Sequence, residues 1–365
     1  MPSTLRFLKQ YLRPAEDATS EAEVAYRRDG HELPATVYRP AGRTEALPGW
    51  VVLHGLTRTG RRHRSLIRFA RAVASAGNVV FVPEIPEWRD LRVAPALTID
   101  TIRAAVLALQ QRTDVRHERV GLFGFSFGAT QALVSATEAD IAAQLAGIAA
   151  WGGYCDLRRV FRFGLTGIHE LDGTTYQARP DPYGTWIMAG NYLPLVPGHR
   201  FSQPVATALH ALALEAGERG AYAWEPIYDE SKRRLRAGLA PSSRELFDML
   251  APLTTEPLPR ADHALELAEA LADTALERDP LLDPQPHLGA VRVPVVVAHG
   301  RDDRLIPFSE SIRLSRHLPD GLVRSVNVTA LFQHSGGTQS GLGPVGLLRE
   351  ASRFAMLLRR VLGLV

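Results

Sequence analysis

The sequence predicts an α/β fold: a mostly parallel central sheet flanked by helices, interrupted after its sixth strand by a mainly helical insertion. Three observations predict it. Short apolar, β-branched runs alternate with segments of helical spacing over residues 1–155. The alternation stops over 156–288, where helical stretches and proline-rich loops take over. It then resumes and continues through 289–365. Strands separated by helices favour parallel pairing, with both sheet faces covered.

The elements follow in order. "MPSTLRFLKQYLRPAED" reads as a short amphipathic helix with Leu5, Leu8 and Leu12 on one face. It lacks the continuous apolar core of a signal peptide. "AEVAYRRDG" and "HELPATVYRP" read as a strand pair turning at Asp29-Gly30. "GWVVLHG" is a buried strand ending in glycine, and residues 61–76 carry helical spacing through Leu66, Phe69, Ala70 and Val73. "GNVVFVPEIP" is the next strand, stopped by its prolines, and 98–112 is a helix on Ile102, Val106, Leu107 and Leu109. "VGLFGFSFGAT" starts as a strand and passes into a helix over 128–138, and "LAGIAAWGG" is the sixth strand. The insertion holds helical stretches at 203–216, 229–238, 242–251 and 262–277, with no clear buried strand. Afterwards come the strand "VRVPVVVAHG", a helix near 308–318, the strand "VRSVNVT" and an amphipathic helix over 343–362. The stripe Leu347, Leu348, Phe354, Leu358, Val361 and Leu362 is what a sheet-flanking helix buries.

Composition narrows the function classes. The chain is 45% hydrophobic and 22% charged, which suits a globular protein with a sizeable core. No apolar run approaches the roughly 18–20 residues that span a bilayer, so no integral membrane segment is expected and the cytoplasm is the default location. The single cysteine, Cys155, excludes an intramolecular disulfide and cysteine-rich zinc sites. All but two of the 42 basic residues are arginine, the lysines being Lys9 and Lys232, and 39 acids bring the net charge to +3. The basic residues are spread among acids, so no nucleic-acid partner is expected; "RTGRRHR" (58–64), the densest group, reads as a solvated helix start. There is no H-E-x-x-H, no phosphate-binding G-x-x-x-x-G-K-[ST] and no dinucleotide fingerprint. Neither a metal nor another cofactor is expected.

One motif carries chemistry. Gly124-Phe125-Ser126-Phe127-Gly128 fits G-x-S-x-G, in which a serine sits on a sharp strand-to-helix turn. Glycines two residues to either side let the helix and neighbouring strands approach without Cβ clashes. Five residues alone are a weak signal; a β-branched run before them and a helix after them make it stronger.

Taken with three further motifs, the chain resembles the α/β-hydrolase superfamily over roughly 20–155 and 289–365. The motifs stand in that superfamily's order: "VVLHG", "GFSFG", "HGRDDRLIP" and "FQHSGG". The resemblance implies Ser126 as nucleophile and His334, on the loop after the last strand, as its base. It implies an acid three residues after Gly300 and four before Pro307, which is Asp303. Asp302 is one position off, and Asp156 occupies a position that some relatives use. The resemblance also implies an oxyanion hole made by the backbone N–H groups of Leu56 and Phe127, with His54 shaping the loop. The insertion lies where the superfamily places its cap, giving a core of 1–155 and 289–365 and a cap of 156–288.

A serine needs an adjacent base to become a nucleophile, and the base needs a carboxylate to hold its tautomer. A serine at the elbow argues against relatives that use aspartate or cysteine there. The expected function is therefore a serine hydrolase acting on a carboxylic ester through an acyl-enzyme, with a small-molecule, apolar acyl substrate. Peptidase, thioesterase and acyltransferase chemistries remain open, as does a non-catalytic small-molecule-binding protein of the same fold. A peptidase would need acids such as Asp229, Glu230, Glu266 or Glu269 at the site. "PYGTWIMAGNYLPLVPG" (182–198) either lines an acyl pocket or forms the insertion's own core. The oligomeric state is not legible.

Overall fold

The structure is a computed structural model, and it describes residues 2–116, 118–256, 261–331 and 343–365. Its strands are β1 (Thr19–Arg28), β2 (His31–Pro40), β3 (Gly49–Leu53), β4 (Val79–Pro83), β5 (Val120–Phe125), β6 (Leu145–Trp151), β7 (Ile168–Leu171), β8 (Thr174–Gln177), β9 (Val295–Gly300) and β10 (Val323–Thr329). The helices before the insertion are α1 (Pro2–Leu12), α2 (Arg64–Ser75), α3 (Pro86–Arg89), α4 (Pro95–Gln110), α5 (Phe127–Ser135) and α6 (Ala139–Gln144). The insertion holds α7 (Leu157–Thr166), α8 (Tyr183–Tyr192), α9 (Gln203–Arg219), α10 (Asp229–Ala237), α11 (Pro241–Leu250), α12 (Ala261–Arg278) and α13 (Gln285–Leu288). Two helices follow it, α14 (Phe308–His317) and α15 (Pro344–Leu362).

Eight strands form one sheet in the order β1-β2-β4-β3-β5-β6-β9-β10. The pairs β1–β2 and β2–β4 are antiparallel, and the other pairs are parallel. Asp29 and Gly30 both have positive φ, 48° and 80°. That is the two-residue turn the Asp-Gly pair favours, and it sets the β1–β2 register at Arg28 opposite His31.

The central strands are buried along almost their whole length because side chains on both faces meet helices. Val51, Leu53 and Leu122 point to the face covered by α4 and α5. Trp50, Val52 and Phe123 point to the face covered by α1, α2 and α15. The predicted face of α1 is corrected: Phe7 and Gln10 are buried and Leu8 is partly buried, while Leu5 and Leu12 are exposed. Phe7 docks on Phe69 of α2, a larger apolar contact than a leucine would make there. The predicted stripe of α15 also changes at one end, since Leu348 is exposed while Leu357, Leu358 and Val361 are buried. Arg61 departs from the solvated reading of its segment. It is buried beside the buried Glu84, with Glu23 at 2.7 Å.

Within the insertion, α7, α8, α13 and the hairpin β7–β8 are additions to the sequence reading. The hairpin turns at Asp172-Gly173, again with two positive φ values, 51° and 77°. Its strands are mostly exposed and have no apolar alternation to announce them.

Candidate active site

The carboxyl ends of β3, β5, β6 and β9 lie side by side. Leu53 pairs with Gly124, Phe125 with Trp151, and Trp151 with Ala298. Open sheets of this kind form ligand crevices at that edge. Ser126 sits there, between the last residue of β5 and the first of α5, with φ 55° and ψ −127°. An L-residue rarely adopts that conformation, which costs about 1–3 kcal/mol and persists only where surroundings impose it. Here the Ser126 N–H donates to Trp151 O at 2.8 Å. Packing imposes the rest: a Cβ on Gly124 would strike the Gly128 carbonyl, and one on Gly128 would strike the His54 carbonyl. The two phenylalanines hold the turn from opposite faces of the sheet. Phe125 packs on Phe69 and Phe123, with ring centroids 4.9 and 4.6 Å away. Phe127 packs on Trp88, 5.3 Å away.

The loop after β3 approaches the serine through Gly55. A Cβ there would lie 3.2 Å from Ser126 Cβ and 3.5 Å from its Oγ, so any larger residue would crowd the hydroxyl. The N–H groups of Leu56 and Phe127 have no acceptor among the described residues. One belongs to this loop and the other to the first turn of α5, where backbone donors are free by the geometry of a helix start. His54 is buried against Trp88, and its Nδ1–H donates to Gly55 O at 2.7 Å. Burial holds its pKa down at about 4. The ring is therefore neutral at ordinary pH and braces the loop.

Asp303 and Asp302 are separated by burial: Asp303 is buried and Asp302 is exposed. Asp303 Oδ1 accepts the N–H groups of Leu305 and Ile306, at 2.9 and 3.0 Å. Its Oδ2 lies 3.3 Å from Nε2 of the buried His299. That nitrogen faces two acceptors, Asp303 Oδ2 and Ile306 O at 2.9 Å, so it carries the hydrogen. Asp156 is engaged elsewhere, capping α7 through the Arg159 N–H at 3.1 Å and pairing with the Arg159 guanidinium at 2.9 Å.

His334 lies outside the described residues. The described start of its loop is anchored by the buried Glu350, which accepts from Thr329 Oγ1 at 2.9 Å and from the Ala330 N–H at 3.1 Å. Among other candidates, His317 is exposed on α14, as its spacing implies. Cys155 is buried, and burial reinforced by Glu310 pushes its thiol up to about 12, which keeps it out of nucleophilic chemistry.

Ser126 opens into a cavity of about 280 Å³. Leu56, Phe127, Leu305, Ile306 and Leu331 share its wall, so the elbow, the first loop, the Asp303 turn and the start of the His334 loop meet at one space. The insertion closes another side with Val160, Phe161, Tyr183, Gly184, Ile187 and Met188. Tyr183 donates its hydroxyl to Leu56 O at 3.1 Å and ties the insertion to that loop. Trp186 and Tyr192 do not line the cavity; they bond to Leu250 O and Asp279 within the insertion's own core. Segment 182–198 thus divides by helical face between the two readings. Sequence reasoning missed His299, Glu350 and Tyr183. The position of His299 four residues before Asp303 was its only signal, Tyr183 was marked only as part of the apolar segment 182–198, and Glu350 left none.

No family model matches the chain, and no curated protein matches it in sequence. Solved structures do match in fold. Brefeldin A esterase, a bacterial homologue of human hormone-sensitive lipase, aligns with a TM-score of 0.50 at 19% identity, over 99% of this chain and 84% of its own. Acylaminoacyl peptidase from Pyrococcus horikoshii aligns with a TM-score of 0.52 at 13% identity, over 97% of this chain and 43% of its own. An acylaminoacyl peptidase in complex with Z-Gly-Gly-Phe-chloromethyl ketone gives 0.50 at 13%, over 94% and 41%. The chain thus spans less than half the length of those peptidases. Sheet order, elbow geometry and these likenesses agree on one conclusion: the chain has the α/β-hydrolase fold.

Proposed function

We propose that the protein is a serine hydrolase that cleaves a carboxylic ester with an apolar acyl group, through Ser126, His334 and Asp303. The observation that carries this reading is the strained Ser126, at the mouth of α5, opening into an apolar cavity beside two unengaged backbone N–H groups. Ser126 Oγ attacks the ester carbonyl while His334 takes its proton. The negative charge that develops on the carbonyl oxygen is held by the Leu56 and Phe127 N–H groups; one such donor is worth about 10²–10³ in rate. His334 then protonates the departing alcohol, leaving an acyl-serine. Water, deprotonated by His334, attacks that acyl group and releases the acid and free Ser126. Asp303, fixed by two backbone N–H groups and His299, orients the imidazole and stabilises its charged form. Residues 156–288 act as a cap over the serine, through the cavity wall they supply.

The peptidase alternative loses the four acids that the sequence offered it, although the buried Asp181 does line the cavity, its Oδ1 accepting from the Tyr183 and Ala223 N–H groups at 3.0 and 3.2 Å. None of Asp229, Glu230, Glu266 and Glu269 lines the cavity. Asp229 instead accepts from Thr254, and Glu269 pairs with Arg162. A panel of p-nitrophenyl esters, from acetate to long acyl chains, tests the reading. Turnover by the wild type and its loss in Ser126→Ala and in His334→Ala are expected. Turnover that survives Ser126→Ala would sink the proposal.

A further inference from the structure

We propose that the outer faces of α1 and α15 form a docking surface for an anionic lipid bilayer. The two helices pack together on the sheet face that also carries α2. Helices that share one face of a sheet turn their opposite sides to solvent. Phe7 points inward from α1, while Leu5 and Leu12 are 64% and 67% exposed. Leu357, Leu358 and Val361 point inward from α15, while Leu348 and Met356 are 72% and 55% exposed. Leu5, Lys9 and Leu12 follow i, i+4, i+7 spacing, and Leu348, Ser352 and Met356 follow i, i+4, i+8, so each set forms one stripe. These leucines are single-sided surplus: the helices are already packed through their other faces.

Charge selects the partner. α1 carries Arg6 and Lys9, with Arg13 just beyond it, and α15 carries Arg349, Arg353, Arg359 and Arg360. The one acid within either helix is Glu350, which is buried and bound to Thr329, Ala330 and Arg353. The nearest acids after α1, Glu16 and Asp17, lie past its end in a separate turn. Lys9, Arg13, Arg349 and Arg359 have no acidic partner among the described residues. Some arginines elsewhere on the surface are matched, as in Arg103 with Asp140, Arg158 with Asp273, Arg236 with Asp248 and Arg316 with Asp172.

Apolar stripes flanked by cations are the pattern of helices that lie in a bilayer interface. No described helix is long and apolar enough to cross a membrane, so the contact is superficial. A second copy of the same face would set cations against cations. A nucleic-acid backbone would leave the leucines unused. Tyr11 of α1 and Phe354 of α15 also line the cavity that holds Ser126, so the two helices that carry the docking face also form part of the cavity wall.

Co-sedimentation of the full chain with phosphatidylcholine vesicles, with and without about a third of phosphatidylglycerol, tests this without any turnover. The wild type is expected to partition onto the anionic vesicles, and less so as salt rises. Lys9→Glu with Arg13→Glu is expected to weaken partition about tenfold or more. Leu5→Ser with Leu12→Ser should weaken it as well. Circular dichroism confirms that each variant is folded, and fluorophosphonate labelling in solution should be unchanged, since none of these residues serves the serine. Absence of partition, or partition equal in all variants, would overturn the proposal. So would a dimer that dissociates with the same substitutions, or binding to duplex DNA in place of vesicles.

Discussion

Ser126 holds a conformation that suits glycine better than serine, and that is the physical trace of a site kept at the expense of stability. Ser126→Gly should abolish turnover and raise stability by about 1 kcal/mol. Ser126→Ala should abolish turnover with little gain, because alanine keeps the strain. Equal or lower stability for the glycine variant in urea unfolding would contradict this. Asp303→Asn should cut kcat by about 10³–10⁴-fold, while Asp302→Asn, at an exposed position, should leave kcat nearly intact. The rate should rise with pH through the titration of a histidine. His54, held down at about 4, cannot supply that rise between pH 5 and 8. Ser126, Asp303 and the Leu56 and Phe127 N–H groups could be proposed from the sequence because they lie in or beside the motifs that carry the resemblance. His299 and Glu350 could not, because they act through contacts made 4 to 21 residues away in chain.

At the scale of elements, α8 shows both the reach and the limit of the sequence. Its aromatic and aliphatic content announced something buried, but content does not say which helical face meets the cavity. Tyr183, Gly184, Ile187 and Met188 do, at spacings that share one face. A Cβ on Gly184 would meet only Leu305 Cδ2, at 3.8 Å, so the space in front of it is open. Gly184→Leu should lower kcat/KM for long acyl esters by about tenfold or more and spare short ones. An unchanged chain-length profile would remove α8 from the substrate's path. Trp186→Ala and Tyr192→Ala should instead lower stability by about 3–5 kcal/mol without shifting the profile. The central strands β3, β4, β5, β6 and β9 were legible because burial on both faces leaves continuous apolar runs, and the mostly exposed β1 because Asp29-Gly30 marks its turn into β2. The β7–β8 hairpin was hidden because exposed strands carry no such mark, and only Asp172-Gly173 pointed to it.

For the whole molecule, core and insertion share the work: one supplies the strained serine, the other much of the wall around it. Burial of a neutral His54 beneath that serine also couples stability to acidity. The unfolded chain binds a proton below about pH 6.5 that the folded chain refuses until about 4. Stability is therefore whole above about pH 6.5 and falls toward pH 4, by at most about 1.4 kcal/mol per pH unit from this group. His169, also held at about 4 by burial, adds the same sign. Unfolding measured at pH 5, 6 and 7 should show the decline, and a flat profile would count against it.

The most direct test of the central claim needs no knowledge of the substrate. A fluorophosphonate incubated with the folded protein reports an activated serine by intact mass. One adduct on the wild type, mapped to Ser126 and absent from Ser126→Ala and His334→Ala, is the predicted result. No adduct on folded wild type, or an adduct on Ser126→Ala, would contradict it.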